Sequence, residues 1–199
     1  MQELVIASQN SGKLLEIEHS LQELPLMLRT MRQFPGVSQT VEDGLSFEEN
    51  ALKKARALAT QLGKTTLADD SGLEVKALDG RPGVYSARFA GANATESDNN
   101  NCLLRELAAV PLGERDARFV CVMALVTADG RELVVTGECE GEILTEPRGH
   151  GGFGYDSLFY YPQAKKTFAE LISTEKARIS HRGQCLAALR EKLPYFLGI

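Results

Sequence analysis

The stretch Thr65-Thr66-Leu67-Ala68-Asp69-Asp70-Ser71-Gly72-Leu73 places two adjacent carboxylates directly after a short apolar run. Residues 65–68 are predicted to form a buried strand, and Gly72 permits a sharp turn after it. Carboxylates at the end of a strand suit a hard divalent cation such as Mg2+. Since neighbours on an extended chain point to opposite faces, we expect one Asp to be a direct ligand and the other to orient water or cap a turn. A turn with two solvated acids is the alternative.

The composition restricts the class of protein around this stretch. A chain of 199 residues forms one compact domain, or two small lobes that share one core. Its 43% hydrophobic and 25% charged residues are ordinary for a soluble globular protein. No apolar run is long enough to span a membrane, and Leu4–Ala7 is too short for the core of a signal peptide, which predicts a cytoplasmic protein without a membrane partner. The net charge of −5 argues against nucleic acid as a partner.

The cysteines do not suggest a metal site or disulfides. The chain has four of them, widely separated and without a C-x-x-C pair: Cys102, Cys121, Cys139 and Cys185. Zinc is therefore not expected, and the thiols are predicted to be reduced and mostly buried.

Predicted strands and helices alternate along the chain. The strands are expected near Leu4–Ala7, Leu26–Met31, residues 65–68, Ala117–Thr127, Glu132–Thr145 and Ser157–Tyr161. The helices are expected near Gly12–Leu24, Phe47–Leu62, Glu96–Ala109, Phe168–Lys176 and His181–Leu193. Asp129-Gly130 is a strong hairpin signal between two of the strands. The pattern predicts an α/β fold with a mixed sheet.

The segment Ser8-Gln9-Asn10-Ser11-Gly12-Lys13 lies between the first predicted strand and the first predicted helix. Free N–H groups at a helix start, together with the positive end of the helix dipole, favour an anion such as phosphate. Ser8 and Asn10 add side-chain donors, and Lys13 adds a mobile charge. The spacing is not that of a Walker A loop. Ordinary helix capping by Asn10 or Ser11 is the alternative.

The predicted helix Phe47–Leu62 follows an acidic loop that contains Glu42. At about 100° per residue, its apolar side chains form one stripe, with Lys54 at the border and Lys53 turned further out. Lys54 is thus expected to lie against protein and could point into a cleft, or it could simply extend along the surface towards water. Glu42 is a second candidate metal carboxylate, and equally a solvated loop acid.

Two further segments could recognise a ligand. The glycine-rich segment Gly149–Asp156 carries Phe153 and Tyr155, so its backbone can approach a base closely and its rings can stack on one. A tight loop whose rings fill the core is the alternative. In Ser180-His181-Arg182-Gly183, two cations are expected in the first turn of the last helix, where they oppose the helix dipole. A bound anion or a base carbonyl would explain this placement, and so would an acid paired with Arg182.

Six motifs in order along nearly the whole chain resemble those of the inosine triphosphate pyrophosphatase family, in particular the bacterial branch that acts on dITP and XTP. They are Ala7-Ser-x-Asn-x-x-Lys13, Phe47-x-Glu-Asn-Ala-x-x-Lys-Ala55, Ala68-Asp-Asp-Ser-Gly-Leu73, Pro82-Gly-x-Tyr-Ser-Ala-Arg88, Gly151-Gly-Phe-Gly-Tyr-Asp156 and Ile179-Ser-His-Arg-Gly183. The resemblance implies an α/β/α arrangement with a long mixed central sheet and a cleft between two lobes. Residues 1–199 are accordingly expected to form a single two-lobed domain.

The resemblance also implies an activity. It is the Mg2+-dependent hydrolysis of non-standard purine nucleoside triphosphates (ITP, dITP and XTP) to the monophosphate and pyrophosphate, which cleanses the nucleotide pool, by a homodimer. A pyrophosphatase acting on another nucleotide would use the same phosphate-binding residues. A nucleotide sensor without turnover is the alternative from another class, although binding a base alone does not need this set of acids and lysines.

The resemblance assigns roles residue by residue. Asp70 is the implied general base and metal ligand, Glu42 is a further metal ligand, and the remaining catalytic residues are Asp69, Lys13 and Lys54. The residues implied to face the triphosphate are Ser8, Gln9, Asn10, Ser11, Gly12, Lys13 and Ser71. Those implied to hold the nucleoside are Phe153, Gly154, Tyr155, Asp156, Lys176, His181 and Arg182.

Overall fold

The computed structural model describes residues 1–38 and 40–199. The strands are β1 (Gln2–Ile6), β2 (Leu26–Thr30), β3 (Thr66–Val75), β4 (Asp116–Val126), β5 (Glu132–Ile143), β6 (Phe159–Tyr161) and β7 (Lys166–Thr167). The α-helices are α1 (Ser11–Leu21), α2 (Phe47–Leu62), α3 (Glu96–Glu106), α4 (Ser173–Ile179) and α5 (His181–Leu197). Among the described residues, no helix combines the length and apolar character needed to cross a membrane.

The strands form one open mixed sheet in the order β2-β1-β3-β4-β5-β6-β7. Strand β1 runs parallel to β2 and to β3, whereas β6 runs antiparallel to β5 and to β7. The expected turn joins β4 to β5, with the Gly130 N–H donating to the Thr127 carbonyl at 3.0 Å. Gly130 has a φ of 87°, which favours glycine at this position. The prediction of an α/β fold with a mixed sheet is confirmed.

The chain divides into two compact units. Unit 1 comprises Met1–Asp70, Cys121–Gly137 and Arg182–Ile199, and unit 2 comprises Ser71–Val120 and Glu138–His181. Each has its own buried apolar cluster. That of unit 1 includes Ile6, Ile17, Leu67, Met123 and Leu189, and that of unit 2 includes Leu73, Leu103, Phe119, Phe159 and Phe168.

The turn predicted at Gly72 is wrong, because β3 continues through Asp69-Asp70-Ser71-Gly72 as far as Val75. Leu73 and Val75 are fully buried, so the strand gains apolar burial by continuing instead of turning. The two carboxylates therefore lie inside a ten-residue strand and not at its end.

Two predicted helices also differ from the structure. The segment expected as one helix over Phe168–Lys176 is a short 3₁₀ helix, Phe168–Glu170, followed by α4. The last helix continues past Leu193 and includes Pro194. Its hydrogen bonds resume beyond the proline, where the Gly198 N–H donates to the Pro194 carbonyl at 2.8 Å.

Candidate active site

The two adjacent carboxylates of β3 have different partners. Asp69 contacts the Lys13 Nζ at 2.9 Å and the Arg182 Nη2 at 3.3 Å. Asp70 accepts hydrogen bonds from the Lys54 Nζ and the Asn50 Nδ2, both at 3.1 Å. This is the alternation expected of neighbours on an extended strand. Two carboxylates that are adjacent in sequence therefore have different hydrogen-bond and ion-pair partners.

Asp69 is an ionised acid inside the protein. Burial alone would raise its pKa, but the charges of Lys13 and Arg182 hold the pKa of Asp69 well below its usual range. The Arg182 guanidinium is almost completely buried and also contacts the Glu16 Oε2 at 2.9 Å. The cation at the start of α5 is therefore balanced by two acids, which is the pairing alternative that the sequence left open.

The pKa of Asp70 is shifted in the opposite direction, above its ordinary value. Burial is the main cause, and the negative charge of Glu42 raises the pKa further. The charges of Lys54 and Lys13 lower it, but by less than burial and Glu42 raise it. A carboxylate with a raised pKa is the better proton acceptor near neutral pH. Adjacent acids whose pKa values are pushed apart are typical of a site where one acid takes protons and the other stays charged.

Lys54 connects Asp70 to the acidic loop. Its Nζ lies 2.9 Å from the Glu42 Oε1 and 3.1 Å from the Asp70 Oδ1. Burial lowers the pKa of Lys54, but the surrounding acids, Asp70 first, outweigh this effect and the net pKa is raised. The side chain of Lys54 is 12% exposed and that of Lys53 is 43% exposed. The predicted difference between the two lysines is confirmed. Lys13, Glu42, Lys54, Asp69 and Asp70 are called the acid–lysine cluster below.

Asn50 is a site residue that the sequence analysis missed. It is fully buried on α2, its Nδ2 donates to the Asp70 Oδ2, and its Oδ1 accepts the Gly44 N–H at 2.9 Å. A Cβ at Gly44 would lie 2.7 Å from that oxygen, which explains the glycine. Asn50 thus ties the loop after Glu42 to Asp70. The available signal was a polar residue beside Ala51 on an otherwise apolar helix face.

The segment Ser8–Lys13 forms the entry to α1. The Asn10 Oδ1 caps the helix by accepting the Lys13 N–H at 3.1 Å, and the Asn10 N–H donates to the Ser8 Oγ at 3.3 Å. The Gln9 carbonyl accepts from the Arg32 Nη2 at 2.7 Å. Capping by Asn10 is confirmed, and it satisfies the Lys13 N–H, one of the N–H groups at the helix start that have no partner within the helix. Anion binding there stays a prediction.

Glu42 and Asp70 are the acids that could hold a metal ion. Within residues 1–38 and 40–199, no group of three or more His, Cys, Asp or Glu side chains is arranged as a metal site. Mg2+ usually needs fewer protein ligands, since one or two carboxylates, substrate phosphates and water complete its shell. Both carboxylates lie within 3.1 Å of the Lys54 ammonium, so they already converge on one positive charge. This all-oxygen donor pair fits Mg2+.

In unit 2, Asp156 organises the glycine-rich loop. Its Oδ2 accepts the Phe153 N–H at 2.9 Å and the Lys176 Nζ at 2.6 Å. The same ammonium lies 4.6 Å from the centre of the Phe153 ring, a cation–π arrangement. Phe153, Asp156 and Lys176 are thus brought together, and Asp156 and Lys176 are both buried.

The remaining predicted nucleoside residues of unit 2 are held by packing. The Tyr155 ring is buried in the unit 2 core, and its hydroxyl donates to the Ser86 carbonyl at 2.8 Å. His181 is also buried and stacks on Phe119, with ring centres 4.6 Å apart and planes at 14°. Ser71, which is predicted to face the triphosphate and not the nucleoside, is half-buried on β3. Tyr155 and His181 therefore give shape and rigidity to the part of unit 2 that carries the loop.

Gly152 provides a test of this loop. It has a φ of 74°, and a Cβ there would lie 2.0 Å from the Asp156 Oδ2. Gly154 has a φ of 62° with no atom within 4 Å of a Cβ. Gly152→Ala should therefore displace Asp156 from Lys176 and lower the nucleotide affinity that the resemblance predicts for this loop about tenfold or more, while Gly154→Ala carries only the backbone strain. Calorimetric titration with IMP compares the two variants, and equal losses would show that the Asp156 contact is not the cause.

A family model described as the Ham1 family matches residues 4–192 of the chain. The chain belongs to this family, which confirms the resemblance found in its motifs. A dITP/XTP pyrophosphatase of Geobacter sulfurreducens is 50% identical to it over 193 residues, covering 97% of each chain. A dITP/XTP pyrophosphatase of Bacillus cereus is 45% identical over 201 residues, covering 100% of this chain and 98% of the relative.

Solved structures of the family have the same fold. A HAM1 protein from Coxiella burnetii superposes with a TM-score of 0.90 at 46% identity, covering 97% of this chain and 98% of the other. The Ham1 protein of Staphylococcus aureus gives a TM-score of 0.87 at 40% identity, with 96% and 98% coverage. The α/β fold with its mixed sheet is thus that of the Ham1 proteins.

Proposed function

We propose that this Ham1-family enzyme hydrolyses the triphosphates of non-standard purine nucleosides, namely ITP, dITP and XTP, to the monophosphate and pyrophosphate in the presence of Mg2+. Its role would be to cleanse the nucleotide pool. The observation that carries the proposal is the pair Asp69-Asp70, whose pKa values are shifted in opposite directions and whose carboxylates each contact a half-buried lysine, at 2.9 and 3.1 Å. The names of the relatives from Geobacter sulfurreducens and Bacillus cereus support it.

Asp70 is the proposed general base. Its raised pKa favours proton uptake from the attacking water, and the contacts with Lys54 and Asn50 fix its two oxygens in different directions. Such a base typically contributes a factor of about 10²–10⁴ to the rate. Asp69 stays charged and holds the Lys13 ammonium at 2.9 Å.

The lysines supply charge for the departing group. Lys13 and Lys54 would offset the negative charge that develops on pyrophosphate as its bond to the α-phosphorus breaks. Ser8, Gln9, Asn10, Ser11, Gly12 and Ser71 are proposed to contact the triphosphate. Glu42 and Asp70 would hold Mg2+, which supplies charge neutralisation of the phosphates and a polarised water when bound.

Selectivity for the base is assigned to Phe153, Gly154, Tyr155 and Asp156, with Lys176 and His181. Hypoxanthine and xanthine present an oxygen at position 6, where adenine presents an amino group. A backbone N–H directed at that position pairs with the oxygen but opposes the amino group, and a buried donor left unpaired costs about 1–3 kcal/mol. Sites built in this way discriminate strongly against adenine. Guanine shares the oxygen at position 6, so its rejection would involve its 2-amino group. For Arg182, whose guanidinium lies between Asp69 and Glu16, we propose a role in positioning Asp69.

The direct test is pyrophosphate release from ITP, XTP, ATP and GTP, each with Mg2+ and with EDTA. We expect fast release from ITP and XTP with Mg2+, and little release with EDTA or from ATP and GTP. Equal rates for all four nucleotides would contradict the base selectivity and keep the phosphate chemistry. No release from any of them would favour a nucleotide sensor without turnover. The homodimer and the cytoplasmic location remain predictions, for which sedimentation and cell fractionation are the measurements.

A further inference from the structure

Three pairs of consecutive residues in unit 2 are joined in a closed ring of hydrogen bonds. The Asn99 Nδ2 donates to the Ala87 carbonyl at 3.1 Å, and the neighbouring Asn100 Nδ2 donates to the Gly154 carbonyl at 2.9 Å. Tyr155, next to Gly154, donates its hydroxyl to the carbonyl of Ser86, the neighbour of Ala87. The pairs 86–87, 99–100 and 154–155 are called the hydrogen-bond ring below.

The ring is anchored to the regular structure around it. The Ser86 Oγ accepts the Leu73 N–H of β3 at 2.9 Å. The Asn99 Oδ1 accepts the Ala90 N–H at 2.9 Å, which fixes the segment after Ser86 to α3. The start of α3 is itself fixed by a capping box between Thr95 and Asp98. The loop Phe153–Asp156 is therefore held from two sides, by α3 and by the 3₁₀ helix Gly83–Arg88.

Two observations indicate that the ring serves the position of the loop rather than stability alone. The Asn100 Oδ1 is buried and has no hydrogen-bond partner among the described residues. An apolar side chain of similar shape would avoid that unpaired acceptor, so the amide is explained by its Nδ2, which donates to the Glu96 carbonyl of α3 and to the Gly154 carbonyl of the loop, both at 2.9 Å. The second observation concerns Tyr155. Its hydroxyl is the one polar atom of an aromatic side chain that phenylalanine could replace in the core.

The loop needs such support because its backbone is intrinsically free. Gly152 and Gly154 both have positive φ, and glycine adopts many conformations at little cost. Asp156 fixes one point of the loop through the Phe153 N–H and Lys176. The two residues between Phe153 and Asp156 are fixed by the hydrogen-bond ring: Asn100 binds the Gly154 carbonyl, and the Tyr155 hydroxyl binds the Ser86 carbonyl.

We propose that the hydrogen-bond ring sets the purine selectivity of the enzyme, with Asn100 and Tyr155 as positioning residues that hold the backbone of Phe153–Asp156 in register with the base. This inference rests on the proposed function. It also assigns a role to the motif Pro82–Arg88, which has no contact assigned in the acid–lysine cluster. The Ser86 carbonyl of this motif accepts the Tyr155 hydroxyl and so fixes its position.

The test compares matched variants. Asn100→Ala and Tyr155→Phe, singly and together, each remove one bond of the ring. Asn101→Ala is the control for the first, because Asn101 is the next residue of α3, is exposed, and has its amide nitrogen 3.5 Å from the Ser97 Oγ. Tyr85→Phe is the control for the second, because Tyr85 lies beside Ser86 and is 54% exposed.

Five quantities are measured: kcat and KM for ITP and ATP, the Kd of IMP, the hydrogen exchange of a peptide covering Phe153–Asp156, and the midpoint of thermal unfolding. Each ring variant should lower the ITP-to-ATP ratio of kcat/KM about five- to thirtyfold, mainly through KM, since a hydrogen bond that fixes the loop is lost. The Kd of IMP should rise by a similar factor and the loop should exchange faster. The double variant should lose less than the product of the single losses, because both bonds belong to one ring. The two controls should match the wild type.

The outcomes separate this inference from the proposed function. A wild-type protein that releases no pyrophosphate from ITP overturns the proposed function and the selectivity role with it. A selective wild type whose ring variants keep the same ITP-to-ATP ratio and IMP affinity overturns the inference alone. A fall in the unfolding midpoint without faster loop exchange or altered selectivity also overturns it, since that is the result of a merely structural role.

Discussion

Turnover of ITP by the Asp70→Asn protein should fall by a factor of about 10²–10⁴, which is the usual contribution of a positioned general base. The amide has the shape of the carboxylate but cannot accept a proton, so the loss should appear in kcat. Asp70 is buried, and its side chain occupies a defined position between Lys54 and Asn50, so the near-isosteric change should leave the fold in place.

A neighbouring acid–lysine pair provides the control for this prediction. Asp43 pairs with Lys53, one position before Lys54 on α2, and both side chains are largely exposed. Asp43→Asn should therefore keep nearly full activity. Pyrophosphate release under saturating ITP, with circular dichroism to confirm folding, decides the result. A folded Asp70→Asn protein with near-wild-type turnover would exclude Asp70 as the base.

Arg182→Met should produce the largest loss of stability, about 3–5 kcal/mol in the free energy of unfolding. Methionine fills a similar volume, but it leaves the carboxylates of Asp69 and Glu16 without the guanidinium that now lies 3.3 and 2.9 Å from them. The Asp69 carboxylate is buried and would keep only Lys13, at 2.9 Å, as a cationic partner, so its weakly compensated charge is the main cost.

The same helix supplies the comparison for this variant. Arg190 of α5 pairs with Glu23 at 2.6 Å, but both side chains are exposed, so Arg190→Met should cost at most about 1 kcal/mol. Adding Asp69→Asn to Arg182→Met should recover part of the lost stability, because it removes the buried charge that has lost one of its two cationic partners. The free energy of unfolding is measured by urea denaturation for the wild type, the two arginine variants and the double variant. The dependence of this free energy on urea concentration should be the same for all four proteins. Equal losses for the two arginine variants would show that burial of the pair is not what matters.

Much of the fold was predictable because local signals decide it. Helix α2 begins and ends where the sequence predicted, since Ser46 caps its start by accepting the Glu49 N–H and Gly63 ends it with a φ of 60°. The turn after β4 was predictable for the same reason. The continuation of β3 past Gly72 was not, because burial of Leu73 and Val75 in the unit 2 core outweighs the local turn signal.

The candidate site was likewise predictable only where local geometry decides it. The helical stripe separated Lys54 from Lys53, because that distinction depends only on helix geometry. The partners of Arg182 were beyond prediction, since Glu16 and Asp69 are 166 and 113 residues away along the chain. Asn50 and Asn100 were missed because each acts on a backbone or side-chain group that only the tertiary structure brings near.

The distribution of thiols gives the protein its own reporters of local opening. Cys121 and Cys185 lie in the core of unit 1, Cys139 lies in the core of unit 2, and Cys102 is half-buried on α3. Burial raises the pKa of Cys139 to about 11, so almost no thiolate forms at neutral pH while that core is closed. An alkylating reagent should therefore modify Cys102 first and reach the others only when their own core opens. The rates of modification at Cys139 and Cys185 would then measure the opening of the two units separately within one native population.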